Sequence, residues 1–422
     1  MLDCSRNAVP RVESVKRLLR ILARMGYRTL QLYMEDVFIL EDYPYFGYGW
    51  QGYTDAELSA LDDYAAALGI ELVPAVQTLA HLKQTLKWDA MRDYVDVDDI
   101  LLLDEEKTGR LIEAIFAKMR RCFRTEKINI GMDEAHMLGL GKYLQKHGFT
   151  DRTQLLLRHF ERVHCLANRY GFRPMLWSDM FFRLAAGGEY YRADCAVDPS
   201  VGEKLPGDTA LIYWDYYSFD SAHYDAMLNA HLQITPNIVF AASARKANSY
   251  VPCNHFSIEC ARHAFPACVA QGIRQVLVTL WGDNGAECSL FGVLPTLHDR
   301  WPWESKPAGM DVLELRLGGM RQRFLTARER LESYLAGRTE TIEEMDTKLL
   351  PFSALAAEQG HCDVPAPFWH RNVSPASVAD IDSVYLRSSQ NSQPNSDASD
   401  MNSGKERGRV FRIACSDPSP AF

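Results

Sequence analysis

The sequence has no apolar run near the ~18 residues that a membrane span requires, and it has no surplus of basic charge. Lysine and arginine total 46 against 55 aspartates and glutamates, a formal net charge of −9. Without a basic face there is nothing to neutralise phosphate backbones, so nucleic acid is not an expected partner. Cys-x-x-Cys pairs and Cys/His clusters at zinc spacing are missing, so no metal site is expected. The 10 cysteines are scattered singly, which fits buried small hydrophobes better than a disulfide framework. No Gly-x-Gly-x-x-Gly follows the first strand, which weakens any dinucleotide-binding reading and leaves no cofactor expected. The opening residues, MLDCSRNAVP, reach Asp3 and Arg6 without an apolar signal region. The first strand looks clipped, and the expectation is a cytoplasmic chain that does not engage membrane.

What is present is alternation. The 422 residues are 47% hydrophobic, enough for one large barrel plus an appendage. Short apolar segments without polar alternation occur at 1–4, 29–34, 70–76, 127–130, 173–177, 209–214, 238–242 and 275–280. They read as strands covered on both faces. Helices fall between them. One starts near Pro10, shows Val15, Leu18, Leu19 and Leu22 on one face, and stops at Gly26. Another opens with the capping-box pattern Thr54 to Glu57. Further helices are expected at 104–122, 151–170, 257–271 and 289–299. Eight strands alternating with helices close most naturally into an α/β fold, the (β/α)8 TIM barrel, over residues 1–305. Residues 306–384 are expected to form a helical C-terminal extension. Residues 385–422 are Ser/Asn/Asp-rich and are expected to be a disordered tail.

Active sites of such barrels lie at the C-terminal strand ends, and here those ends are polar and aromatic. They carry Arg6, Glu35 and Asp36, Gln77 and His81, Asp133 and Glu134, Trp177 and Asp179, Trp214 to Tyr217, and Trp281 with Asp283. Singly, each has a bland explanation: a Trp is most often core, and an Asp at a strand end most often caps a helix. Jointly they describe a carbohydrate pocket. Indole faces pack on a sugar's C–H face, while its hydroxyls need charged hydrogen-bond partners. The sharpest local signal is the adjacent pair Asp133-Glu134. Neighbouring carboxylates repel, so one tends to keep a proton that it can give to a glycosidic oxygen.

The segment INIGMDEAHMLGLGKYL (128–144) resembles the catalytic segment of glycoside hydrolase family 20, in its intracellular branch of bare barrels. MLDCSRN (1–7), YMED (33–36), PAVQTLAHL (74–82), RPMLWSDMFFR (173–183), LIYWDYY (211–217) and LVTLWGDNGAE (277–287) resemble its other signature segments, in order. The resemblance implies an exo-acting β-N-acetylhexosaminidase that retains configuration by substrate-assisted catalysis. This is an exception to the rule of two enzyme carboxylates. Glu134 is then the general acid and base, and Asp133 orients the substrate's 2-acetamido group, whose oxygen attacks C1 to give an oxazolinium ion. Arg6 and Asp283 bind outer hydroxyls, and Asp36, preferred over Glu35, forms with His81 a relay behind the acid. Trp177, Trp214 and Trp281 wall the sugar, with Asp215 and Tyr216 beside them. The implied partners are glycans ending in N-acetylhexosamine, GlcNAc or GalNAc without distinction, and a homodimer through exposed helices.

The resemblance departs at 242–252. Its usual Gly-Gly-Ala-Trp-Lys-Trp stretch is replaced here by Ala242-Ser243-Ala244-Arg245-Lys246-Ala247, so Arg245 and Ala247 stand where two tryptophans are usual. Tyr216 or Tyr217 is the candidate for the missing hydroxyl. Two other readings stay open: a catalytically weakened sugar-binding member of the family, and a glycosidase that sets Asp179 or Asp215 opposite Glu134 as a second carboxylate.

Overall fold

A computed structural model describes residues 1–298 apart from 7–8, 50–51, 193–196, 248–250 and 284–287. The expected helical extension and disordered tail lie outside the described residues. In chain order the strands are β1 (Leu2–Asp3), β2 (Thr29–Met34), β3 (Glu71–Val76), β4 (Val95–Val97), β5 (Ile100–Leu101), β6 (Lys127–Asn129), β7 (Arg173–Trp177), β8 (Ala210–Trp214), β9 (Ile238–Ser243) and β10 (Gln275–Thr279). Strands β4 and β5 form a small antiparallel hairpin, and the other eight make one parallel sheet in the order β1-β2-β3-β6-β7-β8-β9-β10. The sheet closes on itself. Leu2 bridges Leu280 in parallel, and the Leu280 N–H donates to the Met1 carbonyl at 2.9 Å. This is the expected (β/α)8 barrel.

Side chains on each strand alternate between the barrel's interior and the helical layer outside it. Tyr33, Ala75, Met175, Trp177, Ile212, Val239, Ala241 and Leu277 form a buried interior cluster, joined by Trp214 and Trp281. The larger core lies between sheet and helices. Helix Val12–Arg24 turns Val15, Leu18, Leu19 and Leu22 into it, each such side chain contributing about 1.5–3 kcal/mol. Helix Asp55–Ala67 starts with the predicted reciprocal cap, the Thr54 hydroxyl accepting from the Glu57 N–H.

The expected helix at 289–299 is shorter, a 3-10 turn at Leu290–Val293 and a helix at Leu294–His298. Helix Ser221–Ile234 was not legible in the sequence. It buries Tyr224, Met227, Leu228 and His231, and a histidine on the apolar face breaks the periodic signal. That histidine is a satisfied core residue. It stacks on Phe182 at 4.2 Å and Tyr213 at 4.4 Å, and burial lowers its pKa to about 3, keeping it neutral.

Candidate active site

The parity that fills the barrel continues past the strand tips and decides which polar residues enter the site. From Tyr33 it runs to Glu35, from Ala75 to Gln77, from Trp177 to Asp179, from Trp214 to Tyr216, and from Trp281 to Asp283. Three tryptophans share the interior cluster. Trp177 and Trp281 lie 5.9 Å apart between ring centroids, and Trp281 meets Tyr33 edge-on at 4.9 Å. Trp214 packs on Tyr216 at 5.7 Å and Tyr190 at 5.4 Å. They floor the C-terminal end of the barrel, around which the charged side chains stand.

His81 sits at the centre of those side chains. Its Nε2 lies 3.2 Å from Asp133 Oδ2 and 3.4 Å from Glu134 Oε2. Burial alone would lower its pKa. The carboxylates of Asp133, Glu35 and Glu134 outweigh burial and raise it to about 10, so the ring is cationic at neutral pH. Asp133 is held in turn. Burial would raise its carboxyl, but the His81 charge and the Gln77 amide keep it below the usual range. Gln77 Nε2 donates to Asp133 Oδ1 at 2.9 Å and to the Tyr33 hydroxyl at 3.0 Å. Gly131 makes that approach feasible. Its φ is +72°, and a Cβ there would overlap the Gln77 amide, so only glycine fits.

Arg6 closes the other side. Its Nε donates to Glu35 Oε1 at 2.9 Å, and its Nη1 lies 3.5 Å from Asp283 Oδ1. Burial raises the Glu35 pKa to about 7 even against the Arg6 charge, and burial likewise raises Asp283. Asp3 ties this corner to the barrel. Its Oδ2 accepts the backbone N–H groups of Gly282 and Asp283 at 2.9 and 3.0 Å.

Glu134 is gripped by its neighbours. Its backbone N–H donates to Asp179 Oδ2 at 3.0 Å, and the Tyr190 hydroxyl donates to its Oε1 at 3.1 Å. The following turn is moored on the β4–β5 hairpin, where Asp96 accepts the N–H groups of Gly139 at 3.0 Å and Tyr143 at 2.7 Å. Several of these residues adopt left-handed backbone, namely Arg6 at φ 56°, His81 at 58°, Met132 at 70°, Glu134 at 51° and Asp283 at 46°. Non-glycine residues hold such angles only under constraint, about 1–3 kcal/mol each, and such strain concentrates at functional sites.

Asp179 is fully buried. Burial first, and the Asp133 charge second, raise its pKa to about 8. A carboxyl whose folded pKa exceeds its unfolded value binds more protons when folded. Stability is therefore greatest below the unfolded value near 4 and falls as pH rises towards 8. Asp179→Asn keeps an oxygen for the Glu134 N–H and removes the titration. Thermal midpoints should fall less between pH 5 and 8 in that variant than in the wild type. Parallel falls in both proteins would refute the raised value.

The structure brings together Arg6, His81, Asp133, Glu134, Trp177, Trp214, Tyr216, Trp281 and Asp283. Two expected members lie elsewhere. Asp36 points away from the pocket, accepting the Thr85 hydroxyl at 3.1 Å. Its neighbour Glu35 takes the place beside Arg6, because successive residues of an extended chain face opposite sides. Asp215 has the same misfit. It shares the outward parity of Tyr213, whose hydroxyl it accepts at 2.9 Å, and it pairs with His223 at 2.7 Å. Arg245 lies on the rim over the rings of Tyr217 at 5.5 Å and Phe256 at 5.6 Å. Among the described residues no cluster of three or more His, Cys, Asp or Glu side chains is arranged to hold a metal, and no helix is long and apolar enough to cross a membrane.

Comparison with known proteins gives a consistent result. The model of the glycosyl hydrolase family 20 catalytic domain matches residues 1–234, and that of the glycoside hydrolase 20C C-terminal domain matches residues 292–363. Hexosaminidase D of Bos taurus is 23% identical over 233 residues, covering 53% of this chain and 64% of the bovine protein. Hexosaminidase D of Homo sapiens has the same identity and covers 46% of its own length. The chain thus spans between about half and two thirds of these relatives. The exo-β-N-acetylglucosaminidase of Vibrio harveyi, solved with N-acetylglucosamine, superposes with a TM-score of 0.53 at 17% identity, covering 76% of this chain and 57% of that one. The N-acetyl-β-hexosaminidase of Streptomyces plicatus gives 0.52 at 18%, covering 86% and 69%. At these identities the two structures speak for the fold.

Proposed function

The chain belongs to glycosyl hydrolase family 20, and from that premise we propose that it is an exo-acting, retaining β-N-acetylhexosaminidase working by substrate-assisted catalysis. The observation that carries this reading is the grip of one cationic imidazole on two adjacent carboxylates, His81 on Asp133 and Glu134. A terminal N-acetylhexosamine lies over Trp177, Trp214 and Trp281, its outer hydroxyls reaching Arg6 and Asp283. Asp133, held ionised by His81, accepts from the acetamido N–H and directs the amide oxygen at C1. Glu134 gives its proton to the glycosidic oxygen. As the aglycone leaves, the developing positive charge of the oxazolinium ion is balanced by Asp133. Glu134 then takes a proton from the water that opens this ring, and configuration at C1 is retained.

The reading with two enzyme carboxylates has weaker support. Asp215 faces His223, and Asp179 lies buried behind the Glu134 backbone with a carboxyl that keeps its proton. Neither presents an ionised oxygen to the pocket. A panel of aryl β-glycosides with and without the 2-acetamido group tests the proposal. The N-acetylglucosaminide should be cleaved, with the glucoside at least ~1000-fold slower because it lacks its intramolecular nucleophile. A glucoside cleaved as fast would sink the mechanism. Binding of N-acetylglucosamine without turnover of any aryl glycoside would favour the weakened, sugar-binding reading that Arg245 motivates.

A further inference from the structure

One contact of Glu134 has no place in the mechanism above. Its Oε1 takes the Tyr190 hydroxyl, which comes from the loop after helix Asp179–Ala185. The same hydroxyl is hydrogen-bonded to His136 Nε2, two residues beyond Glu134. The Tyr190 ring is fixed from other sides, by the Arg183 guanidinium 4.7 Å from its centroid and by Trp214. Tyr190 is half-buried, while His136 is exposed.

We propose that Tyr190 and His136 are positioning residues that hold Glu134 in register with the glycosidic oxygen in both protonation states of the catalytic cycle. The inference rests on reading Glu134 as the general acid. A phenol hydroxyl carries one donor and can also accept, and a neutral imidazole nitrogen can do either. With Glu134 ionised, Tyr190 donates to the carboxylate and a His136 Nε2–H donates to the Tyr190 oxygen. With Glu134 protonated, the acid proton is donated to the Tyr190 oxygen and the hydroxyl turns to His136 Nε2. The three groups remain hydrogen-bonded in either arrangement, and between the two the exposed His136 ring changes tautomer, giving its Nε2 proton to solvent and taking one on Nδ1. Burial and the nearby Arg183 charge lower the His136 pKa, which keeps the imidazole neutral and able to take both roles. His81 engages the other oxygen, Oε2, so the carboxyl is fixed at both corners.

The test is the leaving-group dependence of Tyr190→Phe, which removes only the hydroxyl and retains the ring on Arg183. Acid assistance matters for a poor leaving group such as methanol or a sugar, and hardly at all for 2,4-dinitrophenol. For the methyl or chitobiose-type N-acetylglucosaminide, kcat/KM should fall about 10- to 100-fold, the effect of losing one hydrogen bond to a charged group. The fall for the dinitrophenyl substrate should be at least tenfold smaller. His136→Asn should show the same pattern, weaker. Equal losses on both substrates would mean that Tyr190 merely shapes the pocket, and would overturn the proposal. A wild-type enzyme that cleaves neither substrate would instead refute the glycosidase reading itself. A misfolded Tyr190→Phe would be revealed by its thermal midpoint, and His136→Asn would then carry the test, unequal losses supporting the proposal and equal losses ending it.

Discussion

Glu134→Gln should lower kcat/KM on an aryl β-N-acetylglucosaminide by about 100- to 10,000-fold, the range for a lost general acid. Glutamine has the same shape and keeps one acceptor oxygen; set towards the His81 N–H, it leaves the amide NH2 to donate to the Tyr190 hydroxyl oxygen, so the turn at φ 51° can be kept. What disappears is the proton. The loss should shrink as the aglycone becomes a better leaving group, since a dinitrophenolate departs without protonation. Initial rates across a series of aryl substrates measure it. A variant retaining full rate on a sugar aglycone would remove Glu134 from the chemistry.

For Asp133→Asn the expected fall is about 100- to 1000-fold, comparable to removing one preorganised electrostatic contact from a transition state. Its signature differs from that of Glu134→Gln. Asp133 faces the acetamido group and not the departing oxygen, so the loss should be nearly the same for every leaving group. A thiazoline mimic of the oxazolinium ion should also bind less tightly to this variant than to the wild type, because such analogues resemble the transition state. His81 should titrate lower as well, having lost the largest of the charges that raise it. NMR titration of that ring gives an independent reading. Undiminished thiazoline affinity in Asp133→Asn would contradict the assigned role.

Much of this was legible beforehand, for identifiable reasons. Strands covered on both faces are nearly uniformly apolar, so their positions stood out and their number gave the barrel. The residues at their tips were equally visible. Which of two neighbours points inwards was not. Asp36 and Asp215 each stand one position from an inward-facing residue, and a single position reverses the facing of a side chain. In steps of two from the interior residues Tyr33 and Trp214, Glu35 and the expected Tyr216 face inwards while Asp36 and Asp215 face outwards. Gln77 and Asp179 have the same parity and were within reach of the same count. Tyr190 was not. It sits in a non-periodic loop, and only the tertiary path of that loop brings its hydroxyl to Glu134. The buried His231 hid a helix by standing where the pattern wanted an aliphatic residue.

The barrel wall is fastened unevenly. Strands β2 and β3 share six paired residues, whereas β1 meets the end of β10 through one bridge, the Leu280 N–H to Met1 carbonyl bond and the carboxylate of Asp3. The wall therefore has a clasp on one side, and the two lips of that clasp carry Arg6 and Asp283. A sugar bound as proposed would reach across from one lip to the other through its outer hydroxyls. Substrate would stitch the cylinder shut at one of its sparsely paired seams, and occupancy of the site and cohesion of the fold would rise together.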